Sequence, residues 1–265
     1  MTNKIQEANL AMVVSKTFSG LNVNALRYLL PLWIAPLTGV TFRCVFAAVA
    51  FWIIGYWAKP ETASVKDKIY LFLLGAVGIY GYMFSYLMGL SKTTPVSAAI
   101  FTSMQPIWVF ILSVFFFNEK ATVMKIVGIL VGLGGALLCI STQKSDDLAS
   151  DAFSGNLFCL VSSVIYAVYL ILSNRFLRRT GPYTLMRYTF SGAAVSSLIV
   201  MAFVGYEASL TTLSLHFWPI ALLLFVLIFP TVISYLLISE YDSRGYIWVF
   251  NFGRRFDCFI SGRTG

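Results

Sequence analysis

The sequence predicts an all-α polytopic membrane protein, and three observations carry that prediction. Of its 265 residues, 58% are hydrophobic and only 11% are charged. A soluble domain carries about 25% charged residues, so this chain lacks the charge to cover a water-facing globule, and its mean hydropathy of +0.81 agrees. The apolar residues also gather into runs of the ~20 residues that cross hydrocarbon as a helix, where barrel strands need only about 9–11. A soluble enzyme, a nucleic-acid binder and a secreted module all fit poorly.

About eight such runs follow one another, over residues 9–30, 34–57, 68–90, 95–117, 123–140, 153–173, 183–204 and 217–239. The first is interrupted by Lys16, which reads as a retained span and not as a cleaved leader. The second follows Pro36 and contains Arg43, and the third starts at Lys68. The fourth carries Gln105-Pro106, and the fifth is rich in glycine from Gly128 to Gly135. The seventh is set off by Arg178-Arg179-Thr180-Gly181-Pro182. The connectors, such as Lys59-Pro60-Glu61 and Asn118-Glu119-Lys120, are too short for a soluble domain.

The net charge of +8 lies mainly in those connectors, which fits an anionic membrane surface and not a nucleic-acid groove. Lys and Arg excess marks the cytoplasmic side. With the N-terminus inside, that side holds Lys4, Lys59, Lys66, Lys68, Lys120, Lys125, Arg175, Arg178 and Arg179, against Arg27, Lys92 and Lys144 outside. The expected location is the cytoplasmic (inner) membrane. Cys44, Cys139 and Cys159 fall inside apolar runs and read as small core residues.

The chain also echoes itself. Pro36 and Arg43 recur as Pro182 and Arg187, and Ser85-Tyr86-Leu87-Met88 recurs as Ser234-Tyr235-Leu236-Leu237. Five spans per copy would invert one copy relative to the other, the architecture of many secondary transporters, with the substrate site near the midplane. The run from Ser97 to Cys139 adds a proline helix (Gln105-Pro106), an acid at a helix end (Glu119) and a glycine helix (Gly128, Gly132). Together with Gly20-Leu21-Asn22 and Arg43, it resembles the EamA-type transporters of the drug/metabolite transporter superfamily. The resemblance implies two inverted five-helix repeats, about eight spans being present of an expected ten. Residues 9–141 would form the first repeat, 152–239 an incomplete second one, and 240–265 an aberrant cytoplasmic tail. It further implies movement of small polar metabolites or drug-like compounds, commonly outward, by alternating access.

The tail departs from the family. After Ser239 it carries Arg254-Arg255-Phe256-Asp257, charges that would each cost about 2.5–3.5 kcal/mol at mid-bilayer. It reads either as a short cytoplasmic tail or as a reading-frame shift near Glu240–Gly245; read one base later, its codons permit an apolar segment. A truncated, inactive remnant is therefore the alternative to an active transporter.

Ionisable groups inside spans are functional candidates, because burying charge in hydrocarbon is costly. Lys16 reads either as a cavity cation for a substrate carboxylate or phosphate, or as a lysine snorkelling to the interface. Arg43 and Arg187 are expected to pair with helix-end carbonyls in preference to contacting substrate, and Asn22 to bind substrate or join helices. Pro106 frees a backbone carbonyl, making Gln105 a candidate cavity wall and hinge. Tyr82, Tyr86, Trp108, Tyr166, Tyr169 and Tyr235 are candidates to line an amphipathic cavity, and several of them read alternatively as interface anchors or lipid-facing residues. Glu119 reads as a rim ion pair with Lys120, while Gly128 and Gly132 are expected to allow close helix packing.

An intramembrane enzyme is the weaker rival. The single histidine, His216, has no ligand partners in the sequence, the eleven acids lie in loops, helix ends or the tail, and no nucleotide motif is present. No catalytic residue, metal or cofactor is expected. The expected partners are a small-molecule substrate and the bilayer, without nucleic acid, and a homodimer is one assembly the chain permits.

Overall fold

Proline opens three of the helices. Pro36, Pro95 and Pro182 each stand at the first helical position, where the missing N–H has no acceptor to lose and φ is already helical. Side chains cap two helix starts, that of the Pro95 helix and that of the helix from Ala152. Thr94 Oγ1 accepts from the Ser97 N–H and Asp151 Oδ1 from the Ser154 N–H, both at 3.2 Å. A computed structural model describes residues 2–30, 33–58, 61, 63–117, 123–141, 151–204 and 217–243. Within them run α1 (Thr2–Leu29), α2 (Pro36–Trp57), α3 (Val65–Lys92) and α4 (Pro95–Ser103, continuing as Gln105–Phe117). They are followed by α5 (Val123–Ser141), α6 (Ala152–Thr180), α7 (Pro182–Val204) and α8 (Phe217–Val226, continuing to Ser243).

Two of these helices contain a π-helical turn, Gly75–Ile79 in α3 and Leu227–Ile233 in α8. The one in α8 has a visible cause. Pro230 cannot donate to the Val226 carbonyl four residues back, and the Thr231 hydroxyl takes that acceptor instead at 2.7 Å. The Ser234 hydroxyl likewise donates to the Phe229 carbonyl at 3.2 Å.

The bundle is organised around α3, which two pairs of glycines bring into backbone contact with its neighbours. A Cβ on Gly75 would collide with the Thr189 carbonyl of α7, and one on Gly192 of α7 would collide with the Phe72 carbonyl of α3. Toward the other end, a Cβ on Gly89 would lie 2.9 Å from the Gly155 carbonyl of α6, and one on Gly155 would lie 2.8 Å from the Thr93 nitrogen. Small residues at helix contacts are the usual device where lipid removes the hydrophobic drive for association. Around this frame Phe51 of α2 meets Phe190 of α7 at 4.9 Å, and Phe18 of α1 meets Phe229 of α8 at 5.0 Å.

Among the described residues six helices are long and apolar enough to cross a membrane, beside a shorter apolar helix over Ile126–Gly135 in α5. The helix α1 carries Lys4, Glu7, Lys16 and Arg27 along its length. The structure revises one expectation, that of the glycine helix. Gly128 has nothing within 4 Å of where a Cβ would stand, and Gly132 meets only Ile107 at 3.5 Å. These glycines do not bring helices together here, because α5 lies at the margin with Val127, Leu130, Val131 and Leu138 exposed. The close packing falls to Gly75, Gly89, Gly155 and Gly192 instead.

Candidate functional site: a tyrosine cluster between α3, α6 and α8

Five of the six aromatic residues singled out from the sequence converge. Tyr82 of α3 and Tyr166 of α6 approach to 4.5 Å between ring centroids. Tyr82 stacks along its own helix with Tyr86 at 6.1 Å, as Tyr166 does with Tyr169 at 6.0 Å. Tyr235 of α8 closes the group edge-on, 6.4 Å from Tyr166 and 5.2 Å from Phe190. Helical spacing explains the pairing, since positions three and four apart share a face. The Tyr82 hydroxyl lies near the Gln105 amide and the Tyr235 hydroxyl, and Tyr86 lies near Thr102.

Above the tyrosines sits a buried cation. Arg43 is 3% exposed, and its Nε–H donates to the Thr231 hydroxyl at 3.1 Å. That hydroxyl is the one that donates to the Val226 carbonyl in the π turn of α8. Arg43 thus pairs with a side-chain hydroxyl and not with a helix-end carbonyl. Its neighbours are Leu26, Leu30, Gly39 and Leu223, around a cavity of about 10 Å³, room for roughly one water molecule. Arg187 also departs from expectation: its Nε is buried without a partner, and its guanidinium lies 5.4 Å from the Trp52 ring centroid.

Several polar atoms in this interior have no partner. They are Asn22 Oδ1, Ser15 Oγ, Trp108 Nε1 and Tyr169 Oη, besides Arg187 Nε. Each such group costs about 1–3 kcal/mol when left dry. Asn22, Trp108 and Tyr169 were all candidates from the sequence. Gln105 is buried beside the cluster at a break in α4, where the Met104 carbonyl accepts from Ile107 and Trp108 at 2.9 and 3.2 Å. Pro106, next to it, is exposed. Lys16 lies on the exposed side of α1. Glu119 and the tail from residue 244 onward fall outside the described residues. No group of three or more His, Cys, Asp or Glu gathers among the described residues.

The sequence reading missed the contacts that flank the cluster at the two ends of the bundle. At one end Glu61 accepts from the Tyr183 and Thr184 backbone N–H groups at 3.3 and 2.6 Å, and Asp67 lies 3.7 Å from Arg179. At the other the Thr93 hydroxyl donates to Asn156 Oδ1 at 2.6 Å. There Arg27 also donates to the Leu90 and Ser91 carbonyls at 3.0 and 3.2 Å. The signal for the first was present in the two Gly/Pro-punctuated connectors, but nothing in the sequence pairs one connector with the other.

Residues 6–141, slightly more than half of the chain, match the EamA-like transporter family. The chain belongs to that family. Similarity to known proteins extends past the matched region. It is 26% identical over 222 residues to the uncharacterized transporter YyaM of Bacillus subtilis (strain 168), covering 83% of this chain and 72% of that one. It is also 26% identical over 227 residues to an uncharacterized transporter of Archaeoglobus fulgidus, covering 86% and 77%. A shorter stretch of 105 residues, 39% of this chain and 37% of the relative, is 28% identical to the aromatic amino acid exporter YddG of Ancylobacter novellus. A solved crystal structure shares the fold, with a TM-score of 0.60 at 17% identity over all of this chain and 90% of the other. This EamA-like protein is therefore an all-α polytopic membrane protein of a transporter family, and the names of its relatives are those of transporters.

Proposed function

We propose that this EamA-like protein is a secondary transporter that exports small polar metabolites or drug-like compounds by alternating access, with the tyrosine cluster as its substrate site. The observation that carries this reading is the cluster itself. Tyr82, Tyr86, Tyr166, Tyr169 and Tyr235 come from three helices and pack ring against ring. The Tyr169 hydroxyl of the cluster lies near Thr189, and Trp108 Nε1 and Asn22 Oδ1 are buried polar atoms without a hydrogen-bond partner. Apolar walls with a few unmatched polar groups are how small-molecule sites are built. Opened, such a set of side chains would suit a ligand with an aromatic or planar body and one polar end. A partly matching relative that bears the name of an aromatic amino acid exporter supports the same choice.

Inverted repeats are part of the proposal, with α1, α2 and α3 corresponding to α6, α7 and α8. Support comes from the π turns: Gly75 stands ten residues after Val65, and Leu227 ten residues after Phe217. The first π turn packs on α7 and the second on α2, as exchange of the two copies requires. The Lys and Arg asymmetry of the loops supports a cytoplasmic N-terminus in the inner membrane, and in this reading the Glu61 end of the bundle faces the cytoplasm.

The test is efflux of radiolabelled phenylalanine, tryptophan and leucine from loaded cells that express the full chain, beside Tyr166→Ala and Tyr235→Ala. The expected result is faster efflux of the aromatic probes, lost in both variants while membrane insertion is kept. Efflux by the full chain that survives both substitutions would remove the cluster from the site.

A further inference from the structure

The contact between Glu61 and the start of α7 is built more closely than a connector needs. Glu61 lies between α2 and α3, yet its carboxylate caps a helix more than a hundred residues away. Oε1 accepts from the Tyr183 N–H and Oε2 from the Thr184 N–H, at 3.3 and 2.6 Å. An anion there is favoured by two backbone N–H groups of the first turn and by the positive end of the α7 dipole. The chain makes room for it with Gly181, which has φ of +87°. A Cβ on that glycine would fall on the Glu61 carboxyl group. Beside it Asp67, buried in the first turn of α3, faces Arg179 at the end of α6 at 3.7 Å. Two carboxylates of the first half thus hold the α6–α7 junction of the second.

The opposite end of the bundle is joined differently. A hydrogen bond between halves there runs from the Thr93 hydroxyl to Asn156 at 2.6 Å, between neutral groups, beside the Gly89–Gly155 contact and Lys92 at 5.7 Å from the Phe158 ring. Charge-assisted hydrogen bonds are roughly twice as strong as neutral ones. In this conformation each end carries a hydrogen bond between the halves, and the one at the Glu61 end is made by a carboxylate.

We propose that Glu61 is the latch of the cytoplasmic gate: its carboxylate on the α7 N-terminus, seated by Gly181, keeps that side shut until the substrate cycle releases it. The proposal rests on the alternating-access reading. It makes Glu61 a positioning residue that sets which side opens and takes no part in binding substrate. For the chain to open inward, Glu61 must leave Tyr183 and Thr184 while Thr93 and Asn156 stay joined.

The natural Cys44 provides the reporter, because it is fully buried beside Arg43 in α2. The full chain, carrying Cys139→Ser, Cys159→Ser and Cys258→Ser, is reconstituted in vesicles of defined sidedness. Labelling by a membrane-impermeant methanethiosulfonate is then followed from each face. Glu61→Ala and Gly181→Ala remove the latch from its two sides, one by deleting the carboxylate and the other by displacing it. Both should raise Cys44 labelling from the cytoplasmic face on the order of tenfold, as loss of a strong helix cap shifts a two-state balance. Labelling from the outer face should not rise. Glu61→Gln, which keeps the shape without the charge, should fall between. Asn156→Ala is the companion variant and should raise labelling from the outer face only. An equal rise from both faces in the latch variants would mean a loosened fold and would overturn the proposal, as would no rise. If Asn156→Ala shifts sidedness while the latch variants do not, the latch alone fails. If no variant at either end shifts it, the alternating-access reading fails as well.

Discussion

Replacing Gly75 with alanine should destabilise the protein by about 2 kcal/mol, and the structure supplies each part of that figure. An added Cβ collides with the main-chain carbonyl of Thr189, and the reciprocal Gly192 contact collides with that of Phe72. Neither obstacle can turn away as a side chain does, so α3 and α7 must separate along their contact. Overpacking of a tight interior costs up to about 3 kcal/mol, while alanine in place of a helical glycine returns about 1 kcal/mol. Gly128→Ala is the matched control, because its Cβ meets nothing within 4 Å; there only the favourable propensity remains, about 1 kcal/mol of stabilisation. The same substitution is thus expected to have opposite signs at two glycines of one chain. The assay is reversible unfolding of the purified protein in mixed micelles, followed by tryptophan fluorescence. The double variant Gly75→Ala/Gly192→Ala should cost less than the sum of the two single changes, since both act on one contact. An unchanged unfolding midpoint for Gly75→Ala, or a loss at Gly128→Ala as large as at Gly75→Ala, would refute the packing argument.

Three further outcomes are expected. Thr231→Val keeps the shape of the side chain but strips Arg43 Nε of its acceptor. It should lower stability by about 3 kcal/mol, the upper range for a bond to a charged group, and unfolding that matches the parent protein would show that Arg43 does not depend on it. Pro230→Ala restores the N–H that the π turn of α8 lacks. Stability should rise while efflux slows, and a variant that transports at the parental rate would leave the π turn without a role in transport. Lys16→Ala should leave efflux of an anionic probe unchanged, because Lys16 lies on the exposed side of α1; loss of that efflux with normal insertion would return Lys16 to the site.

Much of the candidate site was legible as a set of residue types and not as a place. Tyr82 with Tyr86, and Tyr166 with Tyr169, fall on shared helix faces by spacing alone, so each pair was readable. That the pairs face each other, with Tyr235 edge-on to Tyr166, depends on how α3, α6 and α8 pack. Arg43 stood out because a cation inside a span is expensive, but its partner Thr231 lies 188 residues away and no local rule selects it. The glycines show the opposite failure. The conspicuous stripe from Gly128 to Gly135 borders open space, while scattered glycines carry the helix contacts. A glycine permits close approach, and only the neighbouring backbone determines whether one occurs.

The sequence by itself determined the solvent this protein lives in, the approximate limits of its helices and the resemblance to its family. Hydropathy, run length and proline position act over a few turns of chain and need no partner to be expressed. The tertiary structure decided which glycines touch, where Arg43 and Glu61 find their acceptors and donors, and that five tyrosines meet between helices. Those outcomes rest on pairs of groups from segments distant in the chain. Within hydrocarbon many helix faces are equally apolar, so backbone fit and a few polar contacts, and not hydrophobicity, choose among them.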